Sequence, residues 1–304
     1  MARDVERKVV EVADGVFAYV QPDGGWCVNN AGIIVGTERT VVVDTAATVR
    51  RATLLKESVD SLSAGREITL VNTHHHGDHC FGNCVFPAGV PVVGHHLARR
   101  EMREGGLALT HLWPDVEWGE IKLRLPDVTF TESMSLYPGN VEVELLHVGP
   151  AHTTNDVVAW LPEQRVLFAG DVVFNGVTPF VLMGSVRGSI AAVERLRALR
   201  PETIVPGHGD TGGATLLDRT ADYLTWLEDL AGAGRAAGLG PREVAQEADL
   251  GAFADLLDSE RLVGNLIRAY AETEPGHRLG EPLDVLGAFQ EMIAYHGGLP
   301  TSHA

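Results

Sequence analysis

Short apolar stretches separated by polar turns open the chain and mark strands rather than helices. Residues 8–21 alternate on either side of Ala13-Asp14-Gly15, a hairpin signature. Residues 30–36 and 40–44 read as two further strands joined by a short polar turn. The period then changes. Val49, Ala52, Leu55, Val59 and Leu62 recur at helical spacing and predict a helix over 46–63. Residues 68–72 and 90–94 read as buried strands, and a helix begins over 97–103. A second series of strands is predicted at 128–130, 141–147, 156–161 and 165–169, followed by a helix over 188–199 and a strand at 203–205.

Two successive β-rich series, each closed by helices, predict an α+β fold. The expected form is an αββα sandwich, two sheets face to face with helices outside. Beyond Thr211 the pattern turns wholly helical, with an amphipathic stretch over 217–230 and helical signals near 241–248, 251–271 and 284–295. The predicted organisation is therefore a catalytic sandwich over 1–212 and a C-terminal helical extension over 213–304. Trp226, Phe253, Leu257, Leu262, Ile267, Phe289 and Tyr295 are expected to pack the extension onto the sandwich. The stretch 292–298 either joins that packing or walls one side of a pocket.

Bulk properties remove some function classes. No apolar run approaches the roughly 18 residues of a membrane span, and the charged start Met1–Lys8 does not resemble a signal peptide. The expected location is cytoplasmic. A formal charge of −17 opposes binding to nucleic acid, whose phosphates would be repelled. Cys27, Cys80 and Cys84 are too few for a disulfide framework, and Cys80 and Cys84 read as small buried thiols in a helix.

The chemistry concentrates in Thr73-His74-His75-His76-Gly77-Asp78-His79-Cys80. Imidazole nitrogen and carboxylate oxygen are the donors that zinc-type ions accept at about 2.0–2.2 Å. In extended backbone, side chains two apart point the same way, so His74 and His76 can share one ion while Asp78 and His79 turn toward a second. Three more candidates stand beside or near glycine at strand ends: His152 in Gly149-Pro150-Ala151-His152, Asp171 after Phe168-Ala169-Gly170, and His208 in Pro206-Gly207-His208-Gly209. Together they predict a two-metal site. His147 is expected to hydrogen-bond behind the ligands, and His75, His95 and His96 to be structural.

Station by station, His74, His76, Asp78, His79, His152, Asp171 and His208 resemble the ligand set of the metallo-β-lactamase-fold hydrolase superfamily, over roughly residues 10–212. The resemblance implies that His74, His76 and His152 hold the first ion, that Asp78, His79 and His208 hold the second, and that Asp171 bridges them. It also implies that Asp44 supports the metal loop without binding metal. A bridging carboxylate at Asp171 resembles the thioesterase and lactonase branches; antibiotic-hydrolysing branches usually carry cysteine or serine at that station. Two Zn2+ ions are expected, with iron or manganese compatible with the same donors. Such a pair, about 3.5–4 Å apart, would hold a hydroxide that attacks a carbonyl, with Asp78 orienting it and relaying its proton. No G-x-S-x-G elbow is present to suggest a serine mechanism.

Substrate contacts are expected from two segments. Trp26, in the loop 22–30, either stacks on a flat apolar substrate or folds onto the surface as a turn residue. Phe174, Phe180 and Met183, with Asn175 and Thr178 as polar neighbours, either line a hydrophobic pocket or fill the core. Residues 23–30, 151–156 and 294–298 also resemble the cyclase/thioesterases of bacterial aromatic polyketide pathways. That likeness implies a poly-β-ketone thioester on an acyl carrier protein as substrate. The alternative is a lactonase or β-lactamase-like hydrolase of a small hydrophobic molecule. An acidic carrier would need a local basic patch, and Arg99, Arg100 and Arg103 form the densest one, with Arg195, Arg197 and Arg200 second.

Overall fold

Seven strands build the first sheet in chain order: β1 (Lys8–Ala13), β2 (Val16–Val20), β3 (Ala31–Val35), β4 (Arg39–Val43), β5 (Glu67–Asn72), β6 (Val92–His95) and β7 (Val128–Phe130). These assignments come from a computed structural model that describes residues 6–304; of the charged start, Met1–Val5 lie outside the described residues. The strands β1 to β4 are antiparallel, as tight turns allow, and β4 to β7 run parallel. Parallel neighbours need long crossovers. Helix α1 (Val49–Ser63) spans β4 to β5. The short α2 (Gly77–Cys80) and then α3 (His96–Gly105) flank β6. The Thr48 hydroxyl caps α1 by accepting from the Arg51 amide.

The second sheet has the order β12-β11-β10-β9-β8, formed by β8 (Ser133–Leu136), β9 (Val143–His147), β10 (Val157–Leu161), β11 (Val166–Phe174) and β12 (Thr203–His208). Helix α4 (Val186–Leu199) makes the parallel crossover from β11 to β12. Alternation along the strands assigns each residue to a layer. Val41 and Val43 of β4, Val157 and Ala159 of β10, and Phe168 of β11 meet between the sheets. Val42 faces outward, against Leu55 and Val59 of α1. Val158 and Leu167 face the opposite way, toward the remaining helices.

Those helices are α5 (Thr215–Ala237), α6 (Pro241–Glu247), α7 (Arg261–Glu272) and α8 (Val285–His296). Leu224, Leu227, Leu262, Leu266 and Met292 share one buried cluster with Val158 and Leu167, so these helices cover the outer face of the second sheet. The αββα layering is the one the hydrophobic pattern predicts.

Several boundaries differ from expectation, three of them in ways that bear on the site. Strand 128–130 pairs parallel with β6 and closes the first sheet instead of opening the second, whose edge is β8, a strand the pattern missed. The signal over 251–271 resolves into a short turn at Gly251–Phe253 and then α7, because the polar stretch before α7 breaks the helix and Asp258 adopts φ 55°. Strand β11 runs five residues past the expected end, through Asp171 to Phe174. No helix among the described residues is long and apolar enough to cross a membrane.

Candidate metal centre

One edge of the sandwich collects all seven expected donors. His74 and His76 leave the end of β5; His76 is still extended (φ −65°, ψ 146°) when the single turn of α2 begins and swings Asp78 and His79 to the same side. Asp171 comes from within β11, where Gly170 at φ +51° shifts the register against β12. His208 is the last residue of β12, and the preceding Gly207 is required: a Cβ there would lie 1.9 Å from Asp171 Oδ1. His152 sits on the loop between β9 and β10. The buried Asp156 carboxylate shapes that loop by accepting from the Ala151 amide, the Thr153 amide and the Thr153 hydroxyl. Burial pushes the Asp156 carboxyl up to about 7.

The donors form two adjoining groups. His76 Nδ1 is 2.8 Å from His152 Nε2, which is 3.4 Å from Asp171 Oδ2, and His74 Nε2 lies 4.0 Å from the same oxygen. In the other group His208 Nε2 is 3.4 Å from Asp78 Oδ2, and His79 Nε2 is 3.8 Å from it. Asp171 reaches both. Its Oδ1 is 3.0 Å from His79 Nε2, and its Oδ2 is 3.4 Å from His208 Nε2.

The outer ring nitrogens determine the state of the inner ones. His79 Nδ1 faces Asp44 Oδ2 at 2.8 Å, His208 Nδ1 faces the Gly24 carbonyl at 2.8 Å, and His152 Nδ1 faces the Phe180 carbonyl. His74 Nδ1 lies 3.0 Å from Thr73 Oγ1, whose own proton goes to Asp44 Oδ2. His76 Nε2 faces the Met183 sulfur at 3.2 Å. Acceptors at these positions take the ring proton, so each ring turns a lone pair inward. Lone pairs 2.8 Å apart, facing carboxylates, repel unless a cation lies among them. The inner atom His74 Nε2 is buried without a hydrogen-bond partner, and His79 Nε2 and Asp171 Oδ1, though 3.0 Å apart, are not aligned for one, as suits metal donors. The residues fit divalent metal. Asp44 touches no inner atom; it accepts from the Thr73 amide at 2.7 Å and from the Thr73 hydroxyl at 2.7 Å, tying down the loop.

The electrostatics follow the same division. Burial would raise the Asp171 carboxyl, but His79, His208 and His152 outweigh it and hold it well below the ordinary carboxylate range. Burial would lower His208, yet Asp171 and Asp78 push it up to about 9. His74 is driven well below its ordinary value by burial, with His79 adding to the effect. Burial would lower His79 as well, yet Asp171, Asp44 and Asp78 push it well above its ordinary value, so the carboxylates make the site favour positive charge.

Comparison with known proteins agrees with this geometry. The sequence model of the Metallo-beta-lactamase superfamily matches residues 24–208, more than half of the chain. The chain belongs to the metallo-beta-lactamase superfamily. It is 25% identical over 224 residues to the metallo-beta-lactamase type 2 of Bacteroides fragilis, covering 70% of this chain and 83% of that protein. It is 26% identical over 238 residues to the acyl-coenzyme A thioesterase MBLAC2 of Bos taurus, covering 69% and 84%. A solved metallo-beta-lactamase from Pontibacter korlensis superposes with a TM-score of 0.61 at 24% identity, over 72% of this chain and 99% of that one, and shares the fold. Membership makes the chain a metal-dependent hydrolase and is consistent with divalent metal among these donors.

Above the donors of this superfamily member opens a mainly apolar cavity of about 210 Å³. Trp26, Phe174, Phe180 and Met183 all line it. The first three are also buried in the core cluster, so lining and core roles coincide. Trp26 is not a surface turn residue: its ring lies 5.2 Å from Phe180, 5.3 Å from Trp113 and 5.8 Å from Phe289. Asn175 and Thr178 do not line the cavity; their side chains bond the Asp210 and Leu257 carbonyls. The wall contributed by α8 is its first half, Val285, Leu286 and Phe289, rather than the stretch after Met292. His75 also lines the cavity instead of being purely structural, with Nδ1 near Asn155 Nδ2 and Glu101 Oε2. His147 bonds the Thr154 carbonyl and stacks on His95 at 4.0 Å. Glu101, Met102 and Arg261 were unforeseen. Arg261 lies outside the superfamily match, on a helix whose pattern signalled only packing.

Proposed function

We propose that this hydrolase is a binuclear zinc thioesterase for apolar, aromatic acyl groups, acting as a cyclase/thioesterase on a polyketide intermediate bound to an acyl carrier protein. One observation carries the reading: the cavity beside the donors is walled by Trp26, Phe174, Phe180, Met183 and Phe289, which suits a flat hydrophobic acyl group better than a small polar one. The bovine relative's name, acyl-coenzyme A thioesterase, supports the thioester bond as the target. Asp171, where antibiotic-hydrolysing branches usually carry cysteine or serine, supports it further.

In this reading His74, His76 and His152 would hold one ion and Asp78, His79 and His208 the other, with Asp171 between. When bound, the ions supply Lewis acidity toward a carbonyl and lower the pKa of nearby water toward neutrality. The rest falls to the chain. Asp78, at the cavity floor with Oδ2 3.4 Å from His208 Nε2, orients the attacking water and accepts its proton. Trp26, Phe180 and Phe289 seat the acyl group and exclude water from the reacting carbonyl.

A turnover screen tests the reaction class. A naphthoyl thioester of N-acetylcysteamine should be hydrolysed well above a matched lactone and nitrocefin. A preference for the lactone or for nitrocefin would replace this reading with the lactonase or β-lactamase-like alternative.

Docking of the carrier protein would fall to the face of α3. Arg99 is turned toward the Pro126 carbonyl, leaving Arg100, which also touches Glu101, and Arg103 outward. In the second patch Arg197 is engaged by Glu194 and Asp218. Reversing Arg100 and Arg103 to glutamate should raise KM for a carrier-bound substrate by about tenfold, since each surface charge steers encounter. KM for the N-acetylcysteamine thioester should not move; parallel changes in both would remove α3 as the docking face.

A further inference from the structure

Trp26 owes its orientation to two consecutive residues at the start of α7. The Glu260 carboxylate, only 3% exposed, accepts a hydrogen bond from Trp26 Nε1 at 2.5 Å. The Arg261 guanidinium lies over the indole, 4.1 Å from its ring centroid, and is itself held by Asp258 Oδ2 at 2.8 Å and the Thr178 carbonyl at 3.1 Å. Glu260 does not line the apolar cavity. It lies behind Trp26, in the wall of a separate polar cavity with Asp23, Asp258 and His303. Trp26 borders both cavities and forms a partition between them. A buried carboxylate is costly unless hydrogen-bonded, and the indole N–H answers that need while fixing the ring.

We infer that Glu260 is a positioning residue that sets acyl specificity: by holding Trp26 as the partition, it keeps the apolar cavity narrow and closed to the polar one, which favours flat aromatic acyl groups. The substrate side of this inference rests on the thioesterase reading; the binding test below does not. Glu260 and α7 lie beyond the region the superfamily model matches, so the device belongs to this chain's helical extension.

The test uses the full-length, metal-loaded protein and two non-hydrolysable thioether ketones of N-acetylcysteamine, one carrying a 2-naphthyl group and one a methyl group, titrated by calorimetry. Glu260→Leu removes the acceptor at similar volume and should weaken naphthyl binding about tenfold, the scale of one charge-assisted hydrogen bond, with much less effect on the methyl probe. Glu260→Gln keeps a side-chain carbonyl and should restore naphthyl binding. Trp26→Phe should weaken it similarly, and adding Glu260→Leu to that variant should cost nothing more. With the naphthoyl thioester, Glu260→Leu should raise KM while kcat holds. Should Glu260→Leu not fold, Glu260→Met gives the same comparison. Equal weakening of both probes, failure of the glutamine rescue, or full additivity with Trp26→Phe would overturn the assignment. If the binding differences hold but no thioester is cleaved, the thioesterase reading falls and the role of Glu260 stands.

Discussion

Replacing Asp171 with alanine is expected to remove metal and turnover together. Its two oxygens reach His79 at 3.0 Å and both His152 and His208 at 3.4 Å, so it is the one side chain that joins the two donor groups. Without it, the two dications proposed for the site would be balanced by a single carboxylate, Asp78, among five inward-facing imidazoles. Losing several kcal/mol of transition-state stabilisation at 1.36 kcal/mol per tenfold predicts a fall in kcat/KM of roughly a thousandfold. Elemental analysis beside steady-state kinetics checks both effects. A variant that kept its full metal complement and normal turnover would contradict the bridging role.

Asp44→Ala is expected to act on the fold as well as on the metal. Its carboxylate, 3% exposed, accepts from the Thr73 amide, the Thr73 hydroxyl and His79 Nδ1, all within 2.8 Å. Deleting it strands three buried donors and frees the His79 ring to rotate. Breaking such a buried network costs about 3–5 kcal/mol, a large share of the roughly 5–15 kcal/mol that stabilises a domain. Urea titration of the metal-free protein should show the loss, and the remaining folded protein should bind less metal. Asp44→Asn, which can still accept from Thr73, should lose less stability. Equal stability of the alanine variant and the wild type would mean the metal loop holds its shape unaided.

The clustering of the candidate donors was legible because their chemistry restricts residue type. Histidine and aspartate packed into His74-His75-His76-Gly77-Asp78-His79 have few roles other than coordination, and strand ends flanked by glycine marked His152, Asp171 and His208. The layers were legible because two successive β-rich series, each closed by helices, bury their apolar faces best as a sandwich. Which valine faces which layer was not, since Val41 and Val43 meet the other sheet and Val42 meets α1 although all three read alike. The pocket was much less so. Val285, Leu286 and Phe289 lie on an amphipathic helix, where an apolar residue reads the same whether it meets core or substrate. Phe174 and Phe180 do both. Glu260 and Arg261 follow a break at Asp258 that the smooth helical pattern over 251–271 hid, and their partner Trp26 is more than two hundred residues away in sequence. In the basic run of α3, a count of arginines does not reveal that Arg99 turns toward the Pro126 carbonyl.

Metal stoichiometry tests the central claim most directly. Protein purified without chelator and reconstituted with zinc should carry close to two equivalents per chain by elemental analysis. His208→Ala should lose occupancy of the group that includes Asp78 and His79 and fall toward one. A wild-type protein that holds a single equivalent under saturating zinc, with His208→Ala leaving that value unchanged, would contradict the binuclear centre.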